Sequence, residues 1–365
     1  MSTIYDIWFQ RLKCSAYIKK EILQKVTAVD EIYYASKSIY RDWGFTELAI
    51  DLLEKSKANI KDYEKILKKS HELGIEVIGY FDTDYPQLLR EINDPPAVLY
   101  TRGDKSLLQK DMIGVVGARK CTEYGYNVAV RLGRELTECE LVVISGMALG
   151  IDAAAHWGAL ENGPSIAVLG TGVDLCYPSC NHRIYRKLVE KGCLVSEYEP
   201  GVQARPYHFP QRNRIISGMA QGVVVVEAAK KSGSLITAQL ALDYGREVYA
   251  VPGKEESQLS IGANDLVESG AKPIFSALDI IEELPQAISI KNKIIKKNRD
   301  KMHNQLAQEE RIVYAYVSQE PIFILNLKEL LVDTQLSYES INTSLLQLEI
   351  KGLIKRLPGE RYVRI

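Results

Sequence analysis

Ten residues near the middle of the chain, Arg205 to Arg214, hold three arginines (Arg205, Arg212, Arg214), one histidine (His208) and two rings (Tyr207, Phe209). Cations interleaved with rings suit an unpaired polynucleotide, because guanidinium groups hold phosphates while rings stack bases. For Asn213 and Arg214 a second reading stands beside this one, in which they tie neighbouring loops together. Other loops carry matching chemistry. Gly114 to Lys120 ends an apolar run in glycines and then Arg119 and Lys120. Glycine lets the backbone approach an anion, and the following helix offers free N–H groups at the positive end of its dipole. Tyr177 precedes Arg183, Arg186 and Lys187, three cations on one predicted helix. Lys230 and Lys231 lead into Ser232, Gly233 and Ser234, a helix start that makes an anion nest.

Three acid or imidazole groups sit among these loops. Asp152, after the Ser145–Gly150 loop, is expected to cap its helix, which would turn a phosphate away from that end. His156, on the same helix, is expected in the core. Glu227 ends an apolar strand, and two roles are open: a base in an enzyme, or a strut paired with an arginine such as Arg214. The dinucleotide fingerprint G-x-G-x-x-G is not met, and the acid expected after the second strand is replaced by Ser145-Gly146, which argues against a nicotinamide cofactor.

The elements that position these loops follow from hydropathy. Short β-branched runs alternate with amphipathic helical patterns, the signature of βαβ units and a parallel sheet whose ligand crevice lies beyond the strands' carboxyl ends. The pattern predicts strands over 112–116, 141–145, 165–169, 193–196, 222–226 and 247–251. Helices are predicted over 124–136, 152–160, 182–191, 212–220 and 234–244. The run Gly222–Val226 is apolar without alternation, as in a strand covered on both faces.

Around this core the chain divides by composition. Residues 1–75 read as a lysine-rich helical accessory domain. Residues 76–110 read as a bridge with strands over 76–80 and 97–101, Pro95-Pro96 forcing extended backbone. Residues 111–285 form the sheet domain, and 286–304 a basic tether. Residues 305–365 show three helices, over 309–318, 326–331 and 338–351, then a hairpin, the pattern of a winged helix. Its supposed recognition helix is poor in Lys and Arg, which favours protein contact over groove reading.

Whole-chain charge names no partner, since 46 basic residues nearly balance 47 acidic ones for a net charge of −1. Six cysteines (Cys14, Cys121, Cys139, Cys176, Cys180, Cys193) are scattered without paired ligand spacing. Reduced structural thiols are expected, and no metal. The sequence begins without an apolar leader and holds no membrane-length apolar run, so a cytoplasmic location is the default.

The strings VVGARKCTEYG, SGMALGIDAAAH, GTGVDLCYPSCN, SEYEPG, FPQRNRIISGM, VVVVEAAKKSGSLITAQLAL, GREVYAVPG and GANDLVESGA together resemble the DNA-processing protein A family (DprA, also called Smf). The resemblance covers roughly residue 74 to the C-terminus. It implies an α/β fold, an extended Rossmann-like parallel sheet, with an N-terminal helical (SAM-like) domain and a C-terminal winged helix. It implies a non-enzymatic mediator of natural transformation that binds single-stranded DNA, protects it, forms a homodimer and loads RecA recombinase, without cofactor or membrane. The DNA site would use Arg119 of the GAR string and Arg183 beside the YP-x-x-N string. Family members usually carry Ser where Ala118 stands. Dimerisation would draw on Leu266, Val267 and Ile274. Two other classes stand as alternatives: a nucleoside-monophosphate phosphoribohydrolase, whose P-G-G-x-G-T-x-x-E string is missing, and a winged-helix regulator of duplex DNA.

Overall fold

Every predicted strand of the central domain forms, and the order in which they assemble sets the position of the loops. The computed structural model describes residues 4–12, 15–284, 306–317, 336–351, 353–357 and 361–364. The chain separates into two units, 1–285 and 286–365. The expected tether over 286–304 and the helix over 326–331 lie outside the described residues.

In the first unit six short helices come first: α1 Ile4–Arg11, α2 Ala16–Leu23, α3 Val29–Tyr34, α4 Lys37–Asp42, α5 Glu47–Lys57 and α6 Ile60–Glu72. Strands β1 Glu76–Gly79 and β2 Val98–Gly103 flank α7 Gln87–Glu91. Then follow β3 Met112–Val116, α8 Glu123–Glu138, β4 Val142–Ser145, α9 Ile151–Asn162, β5 Ser165–Val168, α10 His182–Lys191 and β6 Cys193–Ser196. The unit closes with α11 His208–Met219, β7 Gly222–Val225, α12 Gly233–Asp243, β8 Glu247–Ala250, α13 Ile261–Glu268, β9 Lys272–Pro273 and α14 Ala277–Ile281.

The strands make one sheet in the order β1-β2-β6-β5-β4-β3-β7-β8-β9. Strands β3 to β9 are parallel to their neighbours, while β1 and β2 add an antiparallel edge beside β6. The stretch expected as a bridge therefore supplies two strands of the sheet itself. From β3 the chain builds outward to β6 on one side, then returns to lay β7 on the other. That reversal beside β3 is the topological switch point at which open α/β sheets bind ligands.

Both faces of the sheet are covered, which is why its strands are apolar throughout. Ile166, Val168, Val195, Val223 and Val225 pack with Ile215, Ile216 and Ala238 on one side. Ala167, Leu169 and Leu194 pack on the other with Ala153, Leu160 and Leu188, and with Trp8, Phe9 and Tyr40 of the N-terminal helices. The accessory helices thus share a core with the sheet. Polar ties reinforce the join: Gln10 accepts from the Ala97 N–H at 2.7 Å and donates to Glu197 at 3.3 Å.

Two elements differ from the sequence pattern for local reasons. Helix α11 starts at His208, four residues before the predicted start. Pro210 occupies its first turn, where the missing N–H has no helical partner to lose. Asp152 does not cap α9, whose N-cap position is Gly150 at φ 74°. Its carboxylate instead accepts the N–H groups of Gly146 at 3.1 Å and Ala148 at 3.4 Å, bracing the preceding loop.

In the second unit α15 Gln308–Tyr316 and α16 Tyr338–Ile350 pack with an antiparallel pair, β10 Ile354–Leu357 and β11 Arg361–Arg364. Val313, Ile341, Leu345, Leu348 and Ile354 form its core, and Lys351 bridges to Glu310 at 2.7 Å. Helix α16 leaves Leu346 and Ile350 exposed.

Helices α8 and α9 cross where Gly158 faces the Val130 carbonyl and Gly133 faces the Ala155 carbonyl, with no room for a Cβ at either contact. Gly158→Ala is expected to cost about 1–3 kcal/mol of stability, as overpacking does. A lower urea midpoint with unchanged slope would register it.

Candidate nucleic-acid interface

A cavity of about 520 Å³ opens at the switch point. Val116 and Gly117 at the end of β3 form one wall, with Arg119 beyond them. Ala148 and Asp152 from the β4 loop, Tyr177 from the β5 loop, and Ser232 to Ser234 at the start of α12 line it as well. Helix α11 contributes Phe209, Arg212 and Asn213. Gly117 is required here, since a Cβ would collide with Ile151 and the Glu227 carbonyl oxygen.

The side chains on this edge divide into an exposed rim and a buried floor. On the rim, Arg119, Lys120, Arg183, Arg186, Lys230 and Lys231 are exposed, and among the described residues none has a carboxylate within 4.0 Å. Elsewhere on the unit cations find acids: Arg134 meets Glu161 at 2.6 Å, Lys105 meets Glu76 at 2.6 Å, and Lys272 meets Glu283 at 2.6 Å. Lys187 lies 4.9 Å over the Trp157 ring. Asn181 anchors the start of α10 to the β4 loop by donating to the Met147 and Ala148 carbonyls at 3.0 and 3.3 Å. Cations left unneutralised on the loops after β3 and β7 and on the helix after β5 create a positive potential where they lie.

Rings stand between the cations. Arg119 places its guanidinium 5.4 Å over the Phe209 ring, and Tyr177 lies 5.4 Å from Phe209 at an interplanar angle of 31°. Tyr177 is 47 % and Tyr207 54 % exposed. Tyr207 accepts a hydrogen bond from Arg205 at 2.9 Å, which holds its ring outward. His208 faces the opposite way, stacked on Tyr198 at 4.0 Å and bonded to the Gly170 carbonyl at 2.9 Å.

Arg212, expected among the exposed phosphate contacts, belongs to the floor. It is 4 % exposed and donates to the Val168 carbonyl, with the Asp152 carboxylate nearby. The early start of α11 explains the difference, because it turns residue 212 inward one turn into a helix. Burial, with the nearby Arg119 charge and against Asp152, lowers its pKa to about 10, so it stays charged at neutral pH. Burial raises Asp152, and the Arg212 charge opposes that rise. A Cβ on Gly146 would run into the guanidinium.

Two sequence expectations about struts resolve in part. Arg214 ties loops, bonding Glu197 at 2.5 Å and Asp94 at 3.1 Å, and Asn213 donates to the Gly233 carbonyl at 3.4 Å. Glu227 is not the partner of Arg214. It accepts the Thr122 N–H at 2.9 Å and its hydroxyl at 2.5 Å, pinning the start of α8. His156 is fully buried. Ser165 gives its only hydroxyl proton to the Val143 carbonyl at 2.7 Å, so His156 Nδ1 must donate to Ser165 across 2.8 Å. Burial pushes the imidazole pKa down to about 3.

Ile236 and Thr237 line the cavity without having been singled out in the sequence. Their position on the first turn after Ser-Gly-Ser was the available signal. At the far end of the sheet Ile274 is 1 % exposed, so it cannot form the contact face expected of it. Leu266 and Val267 are partly buried against the core. Phe275 at 68 % and Leu278 at 53 % are the exposed apolar side chains there.

Residues 76–285 match the family model of DNA recombination-mediator protein A, and residues 300–360 match that of the DprA winged helix domain. The chain belongs to the DprA/Smf family. It is 43 % identical to DNA processing protein DprA of Bacillus subtilis over 61 % of this chain and 75 % of that one. Its identity to the Streptococcus pneumoniae protein is 44 %, over 55 % and 72 % of the two chains. The crystal structure of DprA from Streptococcus pneumoniae superposes with a TM-score of 0.69 at 35 % identity, covering 78 % of this chain and 98 % of that one. A Helicobacter pylori DNA processing protein A, solved to describe its single-stranded DNA binding mode, gives a TM-score of 0.52 at 29 % identity over 62 % and 96 %. The matching family model is that of a recombination mediator. Among the described residues no helix is long and apolar enough to cross a membrane, and no group of three or more His, Cys, Asp or Glu is placed to hold a metal.

Two stability measurements follow. Glu227→Gln removes one of two accepting oxygens and is expected to cost about 1–3 kcal/mol in a denaturant titration. Because His156 stays neutral when folded and takes a proton when unfolded, stability falls as pH drops from about 6 to about 3. The loss approaches 1.4 kcal/mol per pH unit, and His156→Gln is expected to flatten that part of the profile.

Proposed function

We propose that this protein binds single-stranded DNA along the carboxyl edge of its sheet, protects incoming strands in the cytoplasm during natural transformation, and loads RecA recombinase onto them. One observation carries the reading: Arg119, exposed and without a carboxylate partner, lies over Phe209, which packs against the exposed Tyr177 at the cavity on this edge. Phosphates meet the cations and splayed bases meet the rings, a combination that tolerates any sequence. A duplex keeps its bases paired and cannot offer their faces to Tyr177 or Phe209, so unpaired strands are preferred. The relative from Helicobacter pylori, described for single-stranded DNA binding, supports the same assignment.

In this reading residues 111–285 hold the strand, 76–110 join them to the accessory helices 1–75, and the winged helix at 305–365 contacts protein. Two copies pair through the far edge of the sheet, with Phe275 and Leu278 supplying the apolar contact beside Leu266 and Val267.

Each phosphate contacted on a single strand adds about 0.7 to the slope of log affinity against log salt, so five contacts give a slope near −3.5. Arg119→Glu combined with Arg183→Glu is expected to weaken oligonucleotide binding about 10- to 100-fold. Unchanged affinity, or a preference for duplex, would refute the assignment. Phe275→Asp with Leu278→Asp should convert a dimer to monomer in sedimentation analysis while leaving the fold intact.

A further inference from the structure

Two thiols bracket one of the exposed rings on the rim. Cys176 is half-buried and Cys180 is exposed, with Tyr177, Pro178 and Ser179 between them. The segment folds back on itself. The Cys176 thiol donates to the Pro178 carbonyl at 3.5 Å, and the Asn181 N–H donates to the same oxygen at 3.0 Å, so both cysteines lie on one turn. The Cys180 thiol reaches the Asn181 side chain 3.9 Å away. Burial raises the Cys176 pKa, and the Cys180 thiol beside it adds to the rise. The other described thiols are less well placed. Cys139 and Cys193 are buried, and burial pushes Cys193 up to about 12. Burial and the nearby Glu227 charge raise Cys121. Thiols that react with soluble oxidants are accessible, and the susceptible ones commonly have a second cysteine close by. Cys180 meets the first condition and Cys176 the second.

We propose that Cys176 and Cys180 are a peroxide-sensitive pair that closes to a disulfide and loosens the grip of this edge on single-stranded DNA. The effect on DNA rests on the reading of this edge as the DNA-binding one. Cys180, as thiolate, attacks a peroxide oxygen: an S–O bond forms, the O–O bond breaks, and the leaving hydroxide takes up the thiol proton as water. Cys176 then loses its proton and attacks the Cys180 sulfur. An S–S bond replaces the S–O bond, and a second hydroxide leaves with that proton as water. Two thiols together give up two electrons, and one peroxide becomes two waters. Sulfurs in a disulfide stand about 2.0 Å apart, so Cys180 turns in from solvent and Cys176 leaves the Pro178 carbonyl. Tyr177 lies inside the ring so closed. It moves with that backbone from its place 5.4 Å from Phe209, and a base loses one stacking face.

The test uses the full chain and a fluorescently labelled oligothymidylate. The protein is treated with a small excess of hydrogen peroxide and its remaining thiols are alkylated. Peptide mapping should then find the 176–180 stretch two hydrogens lighter and free of alkylation, and dithiothreitol should reverse this. Affinity for the oligonucleotide should fall about 5- to 100-fold, the effect of one lost base stack, and recover on reduction. Cys180→Ser should bind within about twofold of the reduced wild type and ignore peroxide. Tyr177→Ala should bind more weakly at the outset, and oxidation should then change its affinity by less than about twofold. Thiols or sulfinic acids at Cys176 and Cys180 after peroxide would overturn the proposal. So would a disulfide to another cysteine, a closed pair with unchanged affinity, or a peroxide response that persists in Cys180→Ser. If the reduced protein fails to bind the oligonucleotide, DNA binding on this edge is refuted, and peptide mapping alone judges the dithiol pair.

Discussion

Under the glycine loops at the end of the sheet lies a guanidinium that is only 4 % exposed. Arg212 projects from α11 toward the Val168 carbonyl at the end of β5, within the field of Asp152 on α9. Asp152 in turn holds the N–H groups of Gly146 and Ala148. Burying a charge costs several kcal/mol unless it is compensated, so the attraction between the Arg212 and Asp152 charges adds little to net stability. What it does is fix the ends of β4 and β5 relative to α9 and α11. Gly146 has no side chain because the guanidinium occupies that space. Moving these loops apart would take the Val168 carbonyl and the Asp152 charge away from a buried guanidinium.

The rest of the edge is built outward from that floor by bonds of ordinary strength. Glu227 reaches from the end of β7 to the start of α8, Asn181 from the start of α10 to the β4 loop, and Asn213 from α11 to α12. Each joins segments that follow different strands, so the rim is cross-linked. The accessory helices take part at one remove. Glu197, next to β6, receives both Arg214 and Gln10, which connects α1 to α11. Polar side chains that tie loops together leave the cations above them unpaired, and those are the ones able to meet phosphate.

Much of this was legible from residue types. Apolar runs without alternation announced a sheet covered on both faces, and glycines with adjacent cations marked the edge at which the cavity opens. His156 among alanines on an apolar helix read as a core residue and is one. Other features were hidden for a physical reason. Pro210 looked like a loop residue because proline usually ends helices, yet in a first turn it breaks nothing. That small difference turned Arg212 from an outward cation into a buried one. Ile274 read as a contact residue only through the family resemblance, which points to this segment but not to a side-chain direction; only the packing reveals that it faces the core and Phe275 faces solvent.

The sequence by itself determined the alternation of strands and helices, the family strings and the set of cations and rings available for binding, because these depend on local pattern and composition. Tertiary structure alone decided which arginine is exposed and which is buried, which acid braces which loop, and where a cavity closes. Those outcomes depend on contacts between residues far apart in the chain, such as Arg212 with Val168 and Glu227 with Thr122, whose partners no local pattern specifies.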